Sequence, residues 1–236
     1  EYWSIFTNLS SNNETFLSTL VSIDGKRVAI GKDFDKNTGK PKADVVVLDE
    51  DTCKGHLKKI DEQNFVVSSI NEKQTKQYPS PPFITSTLQR EGIRKLKMSA
   101  QQVMSIAQKL YEAGHITYMR TDSVRISNDA LSTIRNIVEK DYKKENLSEK
   151  PIYYKGSVKN AQEAHEAIRP SGQFANPQAL SKELEPKALA LYKLIWNRTI
   201  ASQMKPAVIN QVKAVINAGK EYMFESNGRT IHFTGY

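Results

Sequence analysis

The sequence predicts an α+β fold: a β-rich domain built from both ends of the chain, with a helical domain inserted between them. Three observations lead there. Apolar and β-branched residues alternate with a period of two before residue 78 and again after Pro206, and recur at a helical period in between. Tyr78-Pro-Ser-Pro-Pro82 interrupts any regular element at the change of period. The closing β-like segment, about thirty residues, is too short to hold a core alone and is expected to pair with the first. The expected domains are 1–84 with 206–236, and 85–205.

Strand-like stretches run over Tyr2–Leu9, Thr15–Ile23, Ala43–Leu48 and Phe65–Ile70, with turn residues at Asp24-Gly25 and Thr38-Gly39. A short helix is expected over Asp51–Glu62. Its approach, Val45 to Asp51, ends in Asp-x-Asp, a pattern that can hold Mg²⁺; Asp49 or Asp51 reads better as a helix cap. Beyond the prolines, Ser99 can cap a helix carrying Val103, Ile106, Ala107, Leu110 and Tyr111 on one face, with Gly114 at its end. Ser127 repeats the device before Leu131, Ile134, Ile137 and Val138. A third helix starts at Pro186, carries Leu189, Leu191, Tyr192, Ile195, Trp196 and Ile200, and ends by Pro206. Strands then return over Val208–Ile216, Glu221–Glu225 and Thr230–Phe233, with turns at Asn217-Ala-Gly219 and Asn227-Gly228.

With 39% hydrophobic and 25% charged residues, the composition is that of a folded globular protein, neither disordered nor fibrous. Lys and Arg number 34 against 26 Asp and Glu, a net charge of +8 that favours a polyanionic partner. Cys53 stands alone, which excludes an internal disulfide and a multi-cysteine zinc site in this chain and fits a reducing cytoplasm. No apolar run approaches the ~20 residues of a membrane span. The sequence opens without Met, directly in strand-like residues, and is expected to be a piece of a longer polypeptide.

The stretch richest in chemistry is Ile-Thr-Tyr-Met-Arg-Thr-Asp-Ser, residues 116–123. In an extended segment, positions i and i+2 point the same way, so Tyr118 and Arg120 can face one phosphate. A guanidinium can hold two phosphate oxygens while a tyrosine oxygen attacks the phosphorus. On spacing alone the better reading is a core or interface tyrosine beside a surface arginine, since Tyr-x-Arg is a common pattern.

Tyr118-Met-Arg-Thr-Asp-Ser123 resembles the active-site tyrosine motif of bacterial type IA DNA topoisomerases, and three further stretches agree in order. Pro81-Pro-Phe-Ile-Thr-Ser-Thr-Leu-Gln89 resembles the family's entry into the tyrosine domain, and Ala161-Gln-Glu-Ala-His-Glu-Ala-Ile-Arg-Pro170 its second catalytic-region motif. Leu191 to Trp196, followed by Ala201-Ser-Gln-Met204, resembles the last helix before the chain returns to the β-rich part. The resemblance implies a β-rich arch with an inserted helical, winged-helix-like (CAP-like) domain. It implies that Tyr118 is the nucleophile that links to a 5′-phosphate, and that Arg120 stabilises the phosphate's developing charge. His165, Arg169, Arg90, Arg94, Asp122 and Ser123 become candidate DNA contacts, with Lys95 and Lys97 adding charge beside the two arginines. Arg169 has a structural alternative, pairing with Glu163 or Glu166.

The same resemblance places Mg²⁺ in the intact enzyme on ligands outside this chain, along with a glutamate and a lysine used in the chemistry. DNA, chiefly single-stranded or underwound, is the implied partner, together with the missing metal-binding domain of the same polypeptide; no membrane is involved, and the location is cytoplasmic and nucleoid-associated. Met119 favours the topoisomerase I type over topoisomerase III or reverse gyrase. Two rivals stand beside this reading. A tyrosine recombinase has its arginine and histidine before the tyrosine, whereas His165 follows Tyr118. A non-catalytic winged-helix module would use Tyr118 to stack on bases.

Overall fold

The structure, a computed structural model, describes residues 1–154, 165–172 and 174–236. The chain divides into two compact units, Glu1–Thr75 with Val208–His232, and Lys76–Ala207 with Phe233–Tyr236.

The first unit holds a mixed-order sheet and one helix. Its strands are β1 (Phe6–Ser11), β2 (Glu14–Ile23), β3 (Lys26–Arg27), β4 (Phe65–Gln77), β5 (Ala207–Ala218) and β6 (Tyr222–Phe233), and its helix is α1 (Glu50–Asp61). The sheet runs β1-β2-β6-β5-β4, with β3 paired to β2. The last strand in sequence therefore lies in the middle. It is antiparallel to β2, setting Leu20 opposite Phe224 and Ile23 opposite Tyr222. These four residues join Ile5, Val28, Leu48, Cys53, Ile60, Ile216 and Ala218 in one core, to which α1 contributes Cys53 and Ile60. Asp49 caps α1 by accepting the Thr52 amide at 2.9 Å, which accounts for its acidic start without a metal.

Two strand assignments change. Ala43–Leu48 is not a strand: only Val46 makes an isolated bridge, to Val28, while Leu48 is buried as a core plug. Asn227-Gly228 is not a turn; β6 runs through it, and neither residue has a positive φ. Asp24-Gly25 does turn, with φ of 47° and 77°, and closes the β2–β3 hairpin.

The second unit packs α2 (Thr85–Leu96), α3 (Ala100–Glu112), α4 (Asn128–Asp141) and α5 (Pro186–Ala201) around a separate core. Its most buried members include Phe83, Leu88, Val103, Ile116, Met119, Ile134, Ile168, Leu191 and Ile195. Ser99 caps α3, accepting the Gln102 amide at 3.1 Å while the Gln102 side chain returns to the Ser99 amide. Pro186 opens α5 in the first turn. Ser127 precedes α4 but makes no side-chain cap; its amide instead donates to the Glu166 carboxylate.

The chain leaves the first unit earlier than expected, after Thr75 rather than Ile84, and Phe233–Tyr236 belong with the helices. Phe83 explains the first shift, since it is wholly buried in the helical core. Among the described residues, no helix is long and apolar enough to cross a membrane.

Candidate active site

Tyr118 lies between α3 and α4 on a stretch that turns its side chains alternately in and out. Ile116, Met119, Thr121 and Ser123 are buried, while Tyr118, Arg120 and Asp122 are exposed. Met119, 1% exposed, is turned into the core, and Tyr118 and Arg120 on either side of it are both exposed. Tyr118 is 40% exposed, its ring edge-on to Tyr111 with centroids 5.3 Å apart and 6.3 Å from the His165 ring. Tyr111, expected on the buried face of α3, is 40% exposed and lies against the Tyr118 ring.

Arg120, Thr121, Asp122 and His165 line an open depression of about 470 Å³ with Ile84, Thr85 and Ser86 at the start of α2. Arg120, Asp122 and His165 thus come together as the sequence suggested, with Tyr118 reaching the group through His165. A guanidinium, an imidazole and the first turn of a helix on one concave surface suit an anionic group.

Ser123 and Arg169 do not join that exposed row. Ser123 is 3% exposed and accepts the Arg125 amide at 3.3 Å, so it shapes the segment from inside rather than offering a DNA contact. The Arg169 side chain is 12% exposed, ion-paired to Glu166, bonded to the Pro170 carbonyl at 2.8 Å and set 5.5 Å over the Phe174 ring. It takes the structural alternative, because Glu166 follows it inside and claims its charge; Glu163 lies outside the described residues. Burial acts to raise the Glu166 pKa, but the Ser127 hydroxyl, the Arg169 charge and then the Ser127 amide favour the charged form and hold it below its ordinary value.

Arg94 lies elsewhere. It fixes Glu91 at 2.8 Å in a different basin of about 590 Å³ that shares no lining residue with the first. Lys95 at 3.4 Å and Arg198 at 3.9 Å share the same carboxylate, and Arg198 stacks 4.4 Å from the Phe83 ring centre. Arg90 and Lys97 are exposed on or just beyond α2. Among the described residues, no three His, Cys, Asp or Glu side chains group as a metal site.

Two threonines that the sequence reading passed over hold the segment in place. The Thr117 amide donates to the Arg169 carbonyl at 2.9 Å; its hydroxyl donates to the Ala167 carbonyl at 2.7 Å and accepts the Arg169 amide at 3.0 Å. Thr85 repeats this on the other side. Its amide donates to the Thr121 carbonyl at 2.9 Å, and its hydroxyl donates to the Met119 carbonyl at 2.8 Å and accepts the Thr121 amide at 2.9 Å.

The family model described as DNA topoisomerase matches residues 1–236, and the chain belongs to that family. It is 44% identical over 238 residues to DNA topoisomerase 1 of Synechocystis, covering 100% of this chain and 26% of that protein. Identity is 43% over 246 residues to DNA topoisomerase 1 of Rickettsia felis and 42% over 250 residues to that of Mycobacterium tuberculosis, covering 100% of this chain and 30% and 27% of theirs. The full-length topoisomerase I structure from Thermotoga maritima aligns with a TM-score of 0.74 and 29% identity, over 100% of this chain and 35% of that one. The chain therefore spans roughly a quarter to a third of the relatives it matches.

Proposed function

We propose that this chain supplies the nucleophile-bearing part of a type IA DNA topoisomerase of the topoisomerase I kind, which relaxes DNA by transient cleavage of one strand. The observation that carries the reading is that Tyr118 and Arg120 are both exposed and each lies near His165, in a chain that matches the family from end to end. The Tyr118 oxygen attacks a backbone phosphorus and forms a 5′-phosphotyrosine ester while the 3′-hydroxyl leaves. Attack by that hydroxyl reverses the step, so the exchange conserves one phosphodiester and needs no ATP. Arg120 meets the negative charge that grows on the phosphate oxygens. His165 and Asp122 border the same concave surface and orient the strand there.

In this reading the first unit is the arch and the second the winged-helix-like tyrosine domain. The two units' separate cores and the short bridges Phe83–Ile168 and Ile116–Pro170 support it. The substrate is single-stranded or underwound DNA in the cytoplasm, and the net charge of +8 favours it. Mg²⁺ in the intact enzyme is assigned, on the family resemblance, to ligands outside this chain.

Covalent trapping of labelled single-stranded DNA tests the proposal, with this chain alone, with the metal-binding domain added, and with Tyr118→Phe in each case. An adduct that needs both the added domain and the Tyr118 hydroxyl is expected. DNA binding without any adduct in a demonstrably reconstituted complex would instead favour a binding module in which Tyr118 stacks on bases. The chain alone is expected not to relax supercoiled DNA, with or without Mg²⁺.

A further inference from the structure

We infer that Thr85 and Thr117 are positioning residues for the Tyr118–Arg120 pair, each using one hydroxyl to lock backbone that the chemistry cannot allow to move. This rests on Tyr118 acting as the nucleophile.

The two threonines make the same set of bonds on opposite flanks of the pair. Thr85 spans from the Met119 carbonyl to the Thr121 amide, the two peptide groups that bracket Arg120. Thr117 spans from the Ala167 carbonyl to the Arg169 amide, tying the residue before Tyr118 to the strand that follows His165. The Ile168 amide donates to the Phe83 carbonyl at 2.8 Å and closes the ring of three segments. Residues 83–85, 117–121 and 167–169 are thereby stitched into one frame, although they lie far apart in sequence. The inward anchors Met119 and Ile168, at 1% and 0% exposure, prevent the frame from rolling.

The hydroxyls matter because this stretch is not part of a regular ladder. A strand in a sheet has its backbone held by neighbours on both sides, whereas residues 118–125 belong to no named strand and to none of the isolated bridges. Each threonine oxygen serves as donor and acceptor at once, so one atom replaces two missing ladder bonds. Where Arg120 seats a phosphate for attack by Tyr118, small displacements of either side chain cost rate steeply. Thr85 also opens α2, so the helix start that borders the depression moves with Arg120 rather than independently. The Pro81–Gln89 motif thereby acquires a physical purpose.

The test is single-turnover cleavage of a saturating single-stranded oligonucleotide by the full-length protein, with binding measured in parallel. Thr85→Val keeps the shape and removes the hydroxyl; it should slow cleavage about 10- to 100-fold while binding stays within about 2-fold. Thr85→Ser restores the hydroxyl and should recover most of the rate. Thr117→Val and Thr117→Ser form a second pair with the same expected pattern, which decides the matter should Thr85→Val not fold. Cleavage by the valine variants at the wild-type rate would overturn the inference, as would serine variants as slow as valine ones or binding lost in step with cleavage. Absence of any adduct with the wild-type protein would instead remove Tyr118 as the nucleophile.

Discussion

Replacing Arg120 with alanine in the full-length protein is expected to slow cleavage about 10²- to 10³-fold, since one charged donor aimed at a developing oxyanion is removed. DNA affinity should fall far less; equal losses in both would mean that Arg120 binds the ground state only. Glu91 makes a prediction of another kind. Hydrogen bonding from Arg94, then its charge and that of Lys95, hold the Glu91 carboxyl down from 4.5 to about 2, against the effect of burial. A depressed carboxyl stabilises the fold above its ordinary titration range, and that contribution disappears as pH falls through the folded value. At about pH 6, Glu91→Gln should therefore cost about 0.5–1 kcal/mol, and the gap in melting temperature to wild type should close as pH falls from about 4.5 towards 2. A gap that persists in acid would mean that packing, not charge, was lost.

Elements carry their own tests. A β-carbon on Gly92 of α2 would stand 2.5 Å from the Val103 Cγ2 of α3, too close for either to remain where it is. Gly92→Ala should destabilise by about 1–3 kcal/mol, and Val103→Ala in the same chain should recover part of that loss, as read by denaturant unfolding. Simple additivity of the two changes would show that the helices do not meet there. Ser99→Ala should cost about 1 kcal/mol through the lost cap of α3. That cap was plain in the sequence, as were α4 and α5, because a stop or start residue stood beside an apolar stripe. Helix α2 was not singled out: Ile84 occupies its N-cap without a side-chain bond, and Lys97 ends it at a φ of 55° where glycine would have been the signal. Tyr118, Arg120 and His165 were singled out through the resemblance to family motifs, and the structure leaves Tyr118 and Arg120 exposed with His165 near the Tyr118 ring. Thr85 and Thr117 were not singled out, since their partners lie 34 to 52 residues away and leave no periodic trace. Arg169 and Ser123 misled for the converse reason: a polar residue in a motif looks available until burial is known.

At the scale of the molecule, two cores imply two separable responses. Phe224→Ala empties the centre of the first core and should cost about 3–5 kcal/mol there, while amide exchange protection around Ile134 and Ile195 stays as in wild type. Loss of protection in both regions together would show that the units unfold as one. The middle place of β6 in the sheet has a further consequence, for the order in which the protein takes shape during synthesis. When residues 1–75 have left the ribosome, β2 still lacks the neighbour that completes it, and α1 has no Tyr222 or Phe224 to pack against. All four helices of the second unit are made before those residues exist. The helical unit, whose partners apart from Phe233–Tyr236 lie within its own stretch of chain, can assemble most of its core first. The nascent polypeptide therefore carries a nearly complete helical unit while a sheet edge is still unpaired, and this is the interval in which a chaperone or a wrong strand has its opportunity.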